Sequence, residues 1–192
     1  MLLVLTISKN SFCCRIKMTI MTLNKDPLMP RYSDYSVISA PFGKLGIFSE
    51  MVDGTLTISQ IRYLPKDEKK VQPKNQLVKR AVEQMDAYFV NPNFEFNLPL
   101  KPFGSNFQNR VWTAILSIPV GTTITYGELA NAIKSGARAV GGACGANNYP
   151  LVIPCHRVLA KQGTGGFMGK SSGWELEIKS WLLRHEGLTL GF

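Results

Sequence analysis

Residues 153–158 read Ile-Pro-Cys-His-Arg-Val, and this stretch is the starting point for predicting both the fold and the chemistry of the chain. A cysteine is a strong nucleophile only as the thiolate, which a nearby cation or general base can generate at neutral pH. His156 directly follows Cys155 and can act as such a base. Pro154 restricts the backbone, so the thiol is expected on a stiff turn. The stretch predicts a reactive cysteine, although a Cys-His pair alone is weak evidence for one.

Basic charge is concentrated around this cysteine. The chain has a net charge of +9, and residues 129–174 contain no Asp or Glu. That stretch does contain Lys134, Arg138, Arg157, Lys161 and Lys170. A surface that faces phosphates needs such a stretch, because a misplaced carboxylate would repel the nucleic-acid backbone. An ordinary basic surface is the alternative, and the neighbouring reactive cysteine favours nucleic acid.

The composition fits a globular protein of a reducing compartment. Hydrophobic residues make up 45% of the chain and charged residues 18%. The four cysteines are Cys13, Cys14, Cys144 and Cys155, which do not form the pattern of a secreted disulfide framework. No Cys/His cluster has the spacing of zinc ligands, so no metal site is predicted. We expect a cytoplasmic protein.

The N-terminus does not have the pattern of a targeting segment. Residues 1–7 are apolar but have no basic residue ahead of them and no small-residue cleavage site after them. No apolar run approaches the roughly 20 residues of a membrane span. Residues 1–30 are expected to be a disordered extension, or to result from an upstream translation start that is little used.

The first half of the chain has the pattern of a small α/β unit. Short β-type segments are predicted at residues 37–40, 44–48 and 54–58. Residues 75–89 have apolar side chains at helical spacing, and the Asn-Pro-Asn sequence at 91–93 ends that helix. Nothing in residues 1–100 indicates chemistry, so this half is expected to be structural. A linker is predicted at residues 98–104.

The second half is predicted to be helical. Ser105 is expected to cap its first helix, and Thr125 with Glu128 forms a capping box for the second. Gly136 is expected to break the second helix, and a third helix is predicted over residues 137–147. The last two helices would form a helix-turn-helix. The small residues of the third helix suit close approach to a DNA groove, but they would equally suit close packing in a core.

The motifs around Cys155, taken in order, resemble one protein family. Residues 138–143 read Arg-Ala-Val-Gly-Gly-Ala, Asn147 stands eight residues before the cysteine, and residues 181–187 read Trp-Leu-Leu-Arg-His-Glu-Gly. They resemble the O6-alkylguanine-DNA alkyltransferases, closely over residues 105–187 and more weakly before them. The resemblance implies an RNase-H-like α/β domain at 31–97. It also implies an all-α, winged-helix-like domain with a helix-turn-helix at 105–192, which binds DNA and carries the catalytic site.

The same resemblance implies the reaction. An alkyl group of O6-methylguanine, and also of O4-methylthymine, would pass irreversibly from double-stranded DNA to the protein's own cysteine in a single turnover. No cofactor would be needed, and a monomer is expected. The target base must leave the stack, because its alkyl group is buried in the duplex.

Roles for individual residues follow from the family motifs. Cys155 matches the nucleophile, His156 the base that acts through a water, and Glu186 the residue that orients the histidine. The resemblance also implies three further roles: a donor to the purine, a side chain inserted in place of the flipped base, and an asparagine that braces the active-site turn. These match Tyr126, Arg138 and Asn147, with Asn148 as the alternative for the last.

The glycine-rich loop after the cysteine departs from the family. Residues 163–173 make it about four residues longer than usual, and Phe167 stands where the family often has tyrosine. Met168, Ser171 and Ser172 all remain candidates for the family's small or serine residue. We expect a loop that is mobile without DNA and that closes Phe167 and Met168 over the flipped base, with tolerance of alkyl groups larger than methyl.

Three other classes of protein compete with this interpretation. A cysteine hydrolase would need an oxyanion hole and a distant histidine, and His185 is the only other histidine. A non-catalytic lesion binder would lack the cysteine. A sensor-regulator fusion would need an additional metal-cysteine domain.

Overall fold

The computed structural model describes residues 33–189, which belong to one compact unit. The predicted extension at 1–30 lies outside the described residues. The strands are β1 (Asp34–Ala40), β2 (Gly43–Val52), β3 (Thr55–Leu64), β4 (Ile124–Thr125) and β5 (Val158–Leu159). The helices are α1 (Gln76–Val90), α2 (Asn106–Leu116), α3 (Tyr126–Ala132), α4 (Ala137–Gly145) and α5 (Trp174–His185). A sheet with one helix is thus followed by a mainly helical half, as predicted.

The first half is an antiparallel sheet in the order β1-β2-β3 with α1 packed against it. Its strands are longer than the predicted segments. β3, for example, continues through alternating polar and apolar residues as far as Leu64, and Pro65, which cannot donate to the ladder, follows it. The predicted helix is confirmed as α1, and the Asn75 side chain caps it by accepting a hydrogen bond from the amide of Val78. One face of α1 covers the sheet and completes its core.

The segment predicted as a linker pairs with the sheet. Ile58 donates its amide to the Pro99 carbonyl and accepts from the Lys101 amide, both at 2.8 Å. The Phe103 ring stacks on Trp112, with 4.4 Å between ring centroids. These contacts fix residues 98–104 between the sheet and α2. The division into domains at 31–97 and 105–192 stays a prediction.

Local capping signals gave the starts of two helices correctly. Ser105 with Gln108 and Thr125 with Glu128 both form complete capping boxes, at the starts of α2 and α3. The role of Gly136 was predicted wrongly: α3 already ends at Ala132, and Gly136 is the N-cap of α4.

The predicted end of α4 and the all-helical second half also need correction. α4 ends at Gly145, because the following residues turn away to form the segment that leads to Cys155. β4 and β5 form a short parallel pair, which contradicts an all-α second half. Two residues are too few to show the alternation of apolar and polar side chains by which a strand is recognised in a sequence.

Within residues 33–189, no helix has the length and apolar character needed to cross a bilayer.

Candidate active site

Cys155 begins a single 3-10 turn, Cys155–Arg157, directly before β5. Two backbone hydrogen bonds tighten this turn, from the Cys155 amide to the Ile153 carbonyl at 2.8 Å and from the Arg157 amide to the Pro154 carbonyl at 3.0 Å. The side-chain amide of Asn147 donates to the Ile153 carbonyl at 2.9 Å and to Cys155 Sγ at 3.4 Å. Asn147 therefore braces the turn and contacts the thiol.

A buried polar cluster lies behind the cysteine. Glu186, the C-cap of α5, accepts a 2.8 Å hydrogen bond from His156 Nε2 and two 2.9 Å bonds from the Arg157 guanidinium. The Tyr88 hydroxyl in α1 donates to the same carboxylate at 3.1 Å. Burial alone would raise the pKa of Glu186, but hydrogen bonds from His156 and Arg157 outweigh it and hold the pKa at about 2. The carboxylate is therefore ionised at neutral pH.

This ionised carboxylate fixes the histidine tautomer. A carboxylate only accepts, so Nε2 of His156 carries the proton and Nδ1 carries a lone pair. Burial lowers the pKa of His156, and the bond to Glu186 opposes this effect only in part. His156 is thus a neutral imidazole, 1% exposed, with Nδ1 available to accept a proton. No described residue occupies Nδ1 by a hydrogen bond.

The thiol itself is protonated at rest. Burial raises the pKa of Cys155, opposed by the hydrogen bond from Asn147 and the charge of Lys179. The nucleophile therefore needs a base at the moment of reaction. Cys144 is the last residue but one of α4. It is a poorer nucleophile, because burial and the neighbouring Cys155 raise its pKa to about 12.

Lys179 is a site residue that the sequence analysis missed. It has no exposed surface, and its ammonium donates to the carbonyls of Val158, Thr164 and Gly166 at 2.8, 2.7 and 3.1 Å. Burial lowers its pKa to about 8. Lys179 thus ties α5 to β5 and to the start of the glycine-rich loop.

Two cavities meet at Cys155, and both are also lined by Cys144, Phe167 and Met168. The α4-side cavity, of about 370 Å³, is lined in addition by Tyr126, Gly141, Arg138, Lys170 and Ser171. The β3-side cavity, of about 230 Å³, is lined in addition by Gln60, Tyr63, Asn147, Asn148 and Pro150. Of the residues predicted from the family motifs, Tyr126, Arg138, Asn147, Phe167 and Met168 line a cavity beside the thiol, whereas His156, Glu186 and Ser172 line neither.

Helix α4 presents an open face beside the α4-side cavity. Arg138 is exposed at its start, and only Val140 and Ala143 are buried. A methyl group added at Gly141 or Gly142 would meet no atom within 4 Å. Packing within the described chain therefore does not require glycine at either position, which favours the groove interpretation of this helix over the core one.

The glycine-rich loop divides into an anchored part and an exposed part. Phe167 is 5% exposed, with its ring 5.6 Å from that of Tyr63, and it exchanges two 2.9 Å backbone hydrogen bonds with Lys170. Met168 lies at the tip of this turn, exposed and with a φ of +52°, a conformation that costs a non-glycine residue energy. The Tyr126 hydroxyl donates to the Gly166 carbonyl at 3.1 Å, which fastens the loop to α3.

The histidine outside this cluster has another environment. His185 stacks on Trp181, with 4.7 Å between ring centroids, and its Nε2 lies 2.8 Å from the Tyr88 carbonyl. The geometry offers it no role as the base of a cysteine hydrolase. The described residues contain no group of three or more His, Cys, Asp or Glu side chains that could hold a metal ion.

Comparison with known proteins points to one family. Residues 106–188 match the family described as 6-O-methylguanine DNA methyltransferase, DNA binding domain. A probable methylated-DNA–protein-cysteine methyltransferase of Acanthamoeba polyphaga mimivirus is 39% identical over 147 residues, which cover 74% of this chain and 91% of the relative. The Mycobacterium leprae methylated-DNA–protein-cysteine methyltransferase is 37% identical over 160 residues, covering 80% of this chain and 88% of the relative.

Solved structures give the same result. The Mycobacterium tuberculosis O6-methylguanine methyltransferase has 34% sequence identity and a TM-score of 0.61, covering 79% of this chain and 91% of that one. The structure of the M. tuberculosis protein in complex with DNA has 35% identity and a TM-score of 0.62, with the same coverage. By sequence, fold and the arrangement around Cys155, the chain belongs to the methylated-DNA–protein-cysteine methyltransferase family.

Proposed function

We propose that this protein repairs DNA by transferring the alkyl group of O6-methylguanine in a duplex to Sγ of Cys155. The observation that carries the proposal is the buried pair next to Cys155: neutral His156 donates from Nε2 to the ionised Glu186 carboxylate, and its Nδ1 has no hydrogen-bond partner among the described residues. The relatives are named as methylated-DNA–protein-cysteine methyltransferases, and the M. tuberculosis structure in complex with DNA supports DNA as the partner.

The reaction is a displacement at the sp³ carbon of the alkyl group. His156 Nδ1 accepts the thiol proton, through a water as in the family, and Glu186 stabilises the imidazolium that forms. Sγ then forms a bond to the carbon, and the bond from that carbon to guanine O6 breaks. Tyr126 donates a hydrogen bond to the departing guanine anion, and the anion then takes the proton that His156 removed from the thiol, so that guanine, neutral His156 and the thioether remain. The thioether left on Cys155 has no easy leaving path, so each molecule reacts once and needs no cofactor.

The exposed face of α4 would bring the base to the thiol. In this proposal α3 and α4 act as the helix-turn-helix of a winged-helix-like domain, and α4 enters the minor groove. Arg138 would fill the gap left by the flipped nucleotide, since a long side chain with a planar guanidinium can stack in its place. The α4-side cavity would then receive the base.

We assign the glycine-rich loop to substrate binding. Phe167 provides an apolar wall beside Cys155, and Met168 at the exposed tip would adapt to alkyl groups of different size. Because Lys179 and the buried Phe167 side chain anchor the start of the loop, mobility without DNA is expected in the exposed residues 168–173. Amide hydrogen exchange there should be faster than in α2, and equal protection would contradict this part of the proposal.

The remaining parts of the proposal concern the whole protein. We expect the sheet and α1 to correspond to an RNase-H-like domain, and the protein to act as a monomer on DNA. A nucleophile that must stay reduced is suited to the cytoplasm. Activity on O4-methylthymine is also expected, since that lesion likewise carries its methyl group on an exocyclic oxygen.

Duplex DNA with an isotopically labelled methyl group on O6 of guanine tests the function directly. We expect the label on Cys155, one equivalent per protein, and unmethylated guanine in the DNA. Cys155→Ala should remain unlabelled and still bind the duplex, because the phosphate contacts lie elsewhere. An unlabelled wild-type protein would refute the proposal, as would several repaired bases per protein molecule.

A further inference from the structure

The hydroxyl of Tyr63 has no use in the fold or in the reaction described so far. Tyr63 is 4% exposed, and its Oη forms no hydrogen bond with any described residue. The other tyrosines around the site have partners: Tyr88 donates to Glu186, Tyr126 to the Gly166 carbonyl and Tyr149 to the Lys101 carbonyl. Leaving a buried hydroxyl without a partner costs about 1–3 kcal/mol, so each such group in a native protein calls for an explanation.

The sheet brings this hydroxyl to the reactive turn. The Ile61 amide in β3 donates to the Asn148 carbonyl at 2.9 Å, which joins the strand to the segment that precedes Cys155. Side chains two residues apart on a strand share a face, so Tyr63 is directed to the same side as Ile61. Tyr63 and Cys155 both line the β3-side cavity.

The chemistry of a buried phenol determines what it can do there. Burial first, and then the neighbouring Cys155, raise the pKa of Tyr63, so the hydroxyl keeps its proton and can donate it in a hydrogen bond. The acceptor that develops in this cavity is the Cys155 thiolate. Asn147 supplies one hydrogen bond to the sulfur, at 3.4 Å, and a thiolate can accept more than one.

We propose that Tyr63 stabilises the Cys155 thiolate by donating a hydrogen bond from its hydroxyl, across the β3-side cavity, towards Sγ as the thiol proton leaves. This role rests on the proposed function, since it concerns the same nucleophile. It would place one element of the reaction in β3, within the half of the chain expected to be structural.

Other groups around the sulfur are already engaged. Lys179 donates to three backbone carbonyls, and Cys144 keeps its proton because of its raised pKa. Among the described residues, the titratable and charged groups around Cys155 and Tyr63 include Tyr88 from α1, Tyr126 from α3, Cys144 from α4, Lys179 from α5, and His156, Arg157 and Glu186 of the polar cluster. Arg62 of β3 lines the β3-side cavity, and Arg138 and Lys170 line the α4-side cavity. Tyr63 contributes the one hydroxyl among the described members of this set that has no hydrogen-bond partner.

The test is the titration of Cys155 in the full-length protein. The rate of its alkylation by iodoacetamide, measured as a function of pH, reports the fraction of thiolate. The modified Cys155 peptide is quantified by mass spectrometry, so the readout does not depend on methyl transfer. Tyr63→Phe should raise the apparent pKa of Cys155 by about one unit, equivalent to an approximately tenfold slower alkylation at neutral pH. Tyr149→Phe, which also removes one buried hydroxyl, should leave the titration of Cys155 unchanged.

An unchanged titration of Cys155 in a folded Tyr63→Phe protein would overturn the inference, as would an equal shift in Tyr149→Phe. Should Tyr63→Phe fail to fold, 3,5-difluorotyrosine at position 63 provides a second probe, because it has nearly the same shape and a more acidic hydroxyl. A stronger donor should lower the apparent pKa of Cys155, and an unchanged or higher value would contradict the inference. A wild-type protein that accepts no methyl from DNA would instead refute the proposed function and leave these titrations interpretable.

Discussion

The polar cluster behind Cys155 and the exposed face of α4 are built in opposite ways. In the cluster, the Glu186 carboxylate accepts four hydrogen bonds from His156, Arg157 and Tyr88, and its side chain has no exposed surface. On α4, Arg138 is exposed, and the space around Gly142 is open. Proton transfer needs groups held in fixed positions and shielded from bulk water, whereas opening a duplex needs a surface that DNA can reach. In the proposed function, the cluster would therefore carry the proton transfer and the exposed face of α4 would carry base extrusion, as separate functions of adjacent parts.

The largest effect is expected from breaking the cluster with Glu186→Gln. The change leaves the Arg157 charge buried without its partner, which typically costs about 3–5 kcal/mol. It also removes the negative charge that stabilises the His156 imidazolium and replaces one acceptor oxygen with an amide donor, so transfer should slow by about 10²–10³-fold. Urea unfolding and single-turnover transfer measure the two effects. Glu83→Gln, on the exposed face of α1, is the matched control, and equal losses in both variants would contradict the importance of the cluster.

Acid should unfold the protein through the same cluster. The pKa of Glu186 falls from 4.5 to about 2 on folding, so its contribution to stability is present above pH 4.5 and is lost as the pH falls towards 2. The pKa of His156 is also lowered, from 6.5, so stability begins to fall below that pH as the unfolded state takes up the proton. Unfolding free energies measured from pH 7 to pH 3 should decrease steadily, with a shallower slope below pH 4.5 in Glu186→Gln. Parallel curves for the two proteins would contradict this.

The exposed face of α4 can be altered without touching the cluster. Gly142→Gln adds a long side chain in open space and removes a helical glycine, so stability should be unchanged or higher by about 0.5 kcal/mol. Duplex binding should weaken by roughly tenfold if α4 enters a DNA groove, which fluorescence anisotropy would show. Reaction with free O6-benzylguanine serves as the internal control and should be unchanged. Normal duplex binding would remove this face of α4 from the DNA interface.

The smallest effect is expected at the tip of the glycine-rich loop. Met168 has a φ of +52°, a region that asparagine tolerates better, so Met168→Asn should raise the unfolding free energy by about 0.5–1 kcal/mol. The loss of an adaptable apolar side chain should also lower the rate with benzyl relative to methyl substrates. Thermal unfolding and a comparison of the two transfer rates check the prediction. An unchanged rate ratio would exclude Met168 from the substrate site.

How well a feature could be predicted from the sequence depended on how far apart in the chain its interacting residues lie. The capping boxes at Ser105 and Thr125 are local, so four residues were enough to place two helix starts. The family motifs predicted Cys155, His156 and Glu186 as site residues, and the structure brings the histidine and the carboxylate into contact although 30 residues separate them in the chain. The end of α4 was predicted wrongly, because a helix rich in glycine and alanine contains few residues whose type marks where the helix stops.

Contacts across the fold could not be read from local patterns. Tyr63 and Tyr88 reach the site only because the sheet and α1 pack against the second half, and no spacing in the sequence encodes that packing. Two signals were present and overlooked. Arg157 is a charged residue within an apolar run, and Lys179 shares the buried face of α5 with Ile178 and Leu182. A charged side chain is stable in a buried position only when it has hydrogen-bond or ion-pair partners, and both residues have them.

The separation of chemistry from base extrusion is tested most directly by comparing two substrates in two variants. Single-turnover rates are measured for Glu186→Gln and Arg138→Ala with O6-benzylguanine as the free base and within a duplex. Glu186→Gln is expected to slow both reactions by the same factor. Arg138→Ala should slow only the duplex reaction, by about 10–100-fold, since extrusion of a base costs a few kcal/mol. Equal slowing of both substrates by Arg138→Ala, or slowing of the duplex alone by Glu186→Gln, would contradict the account.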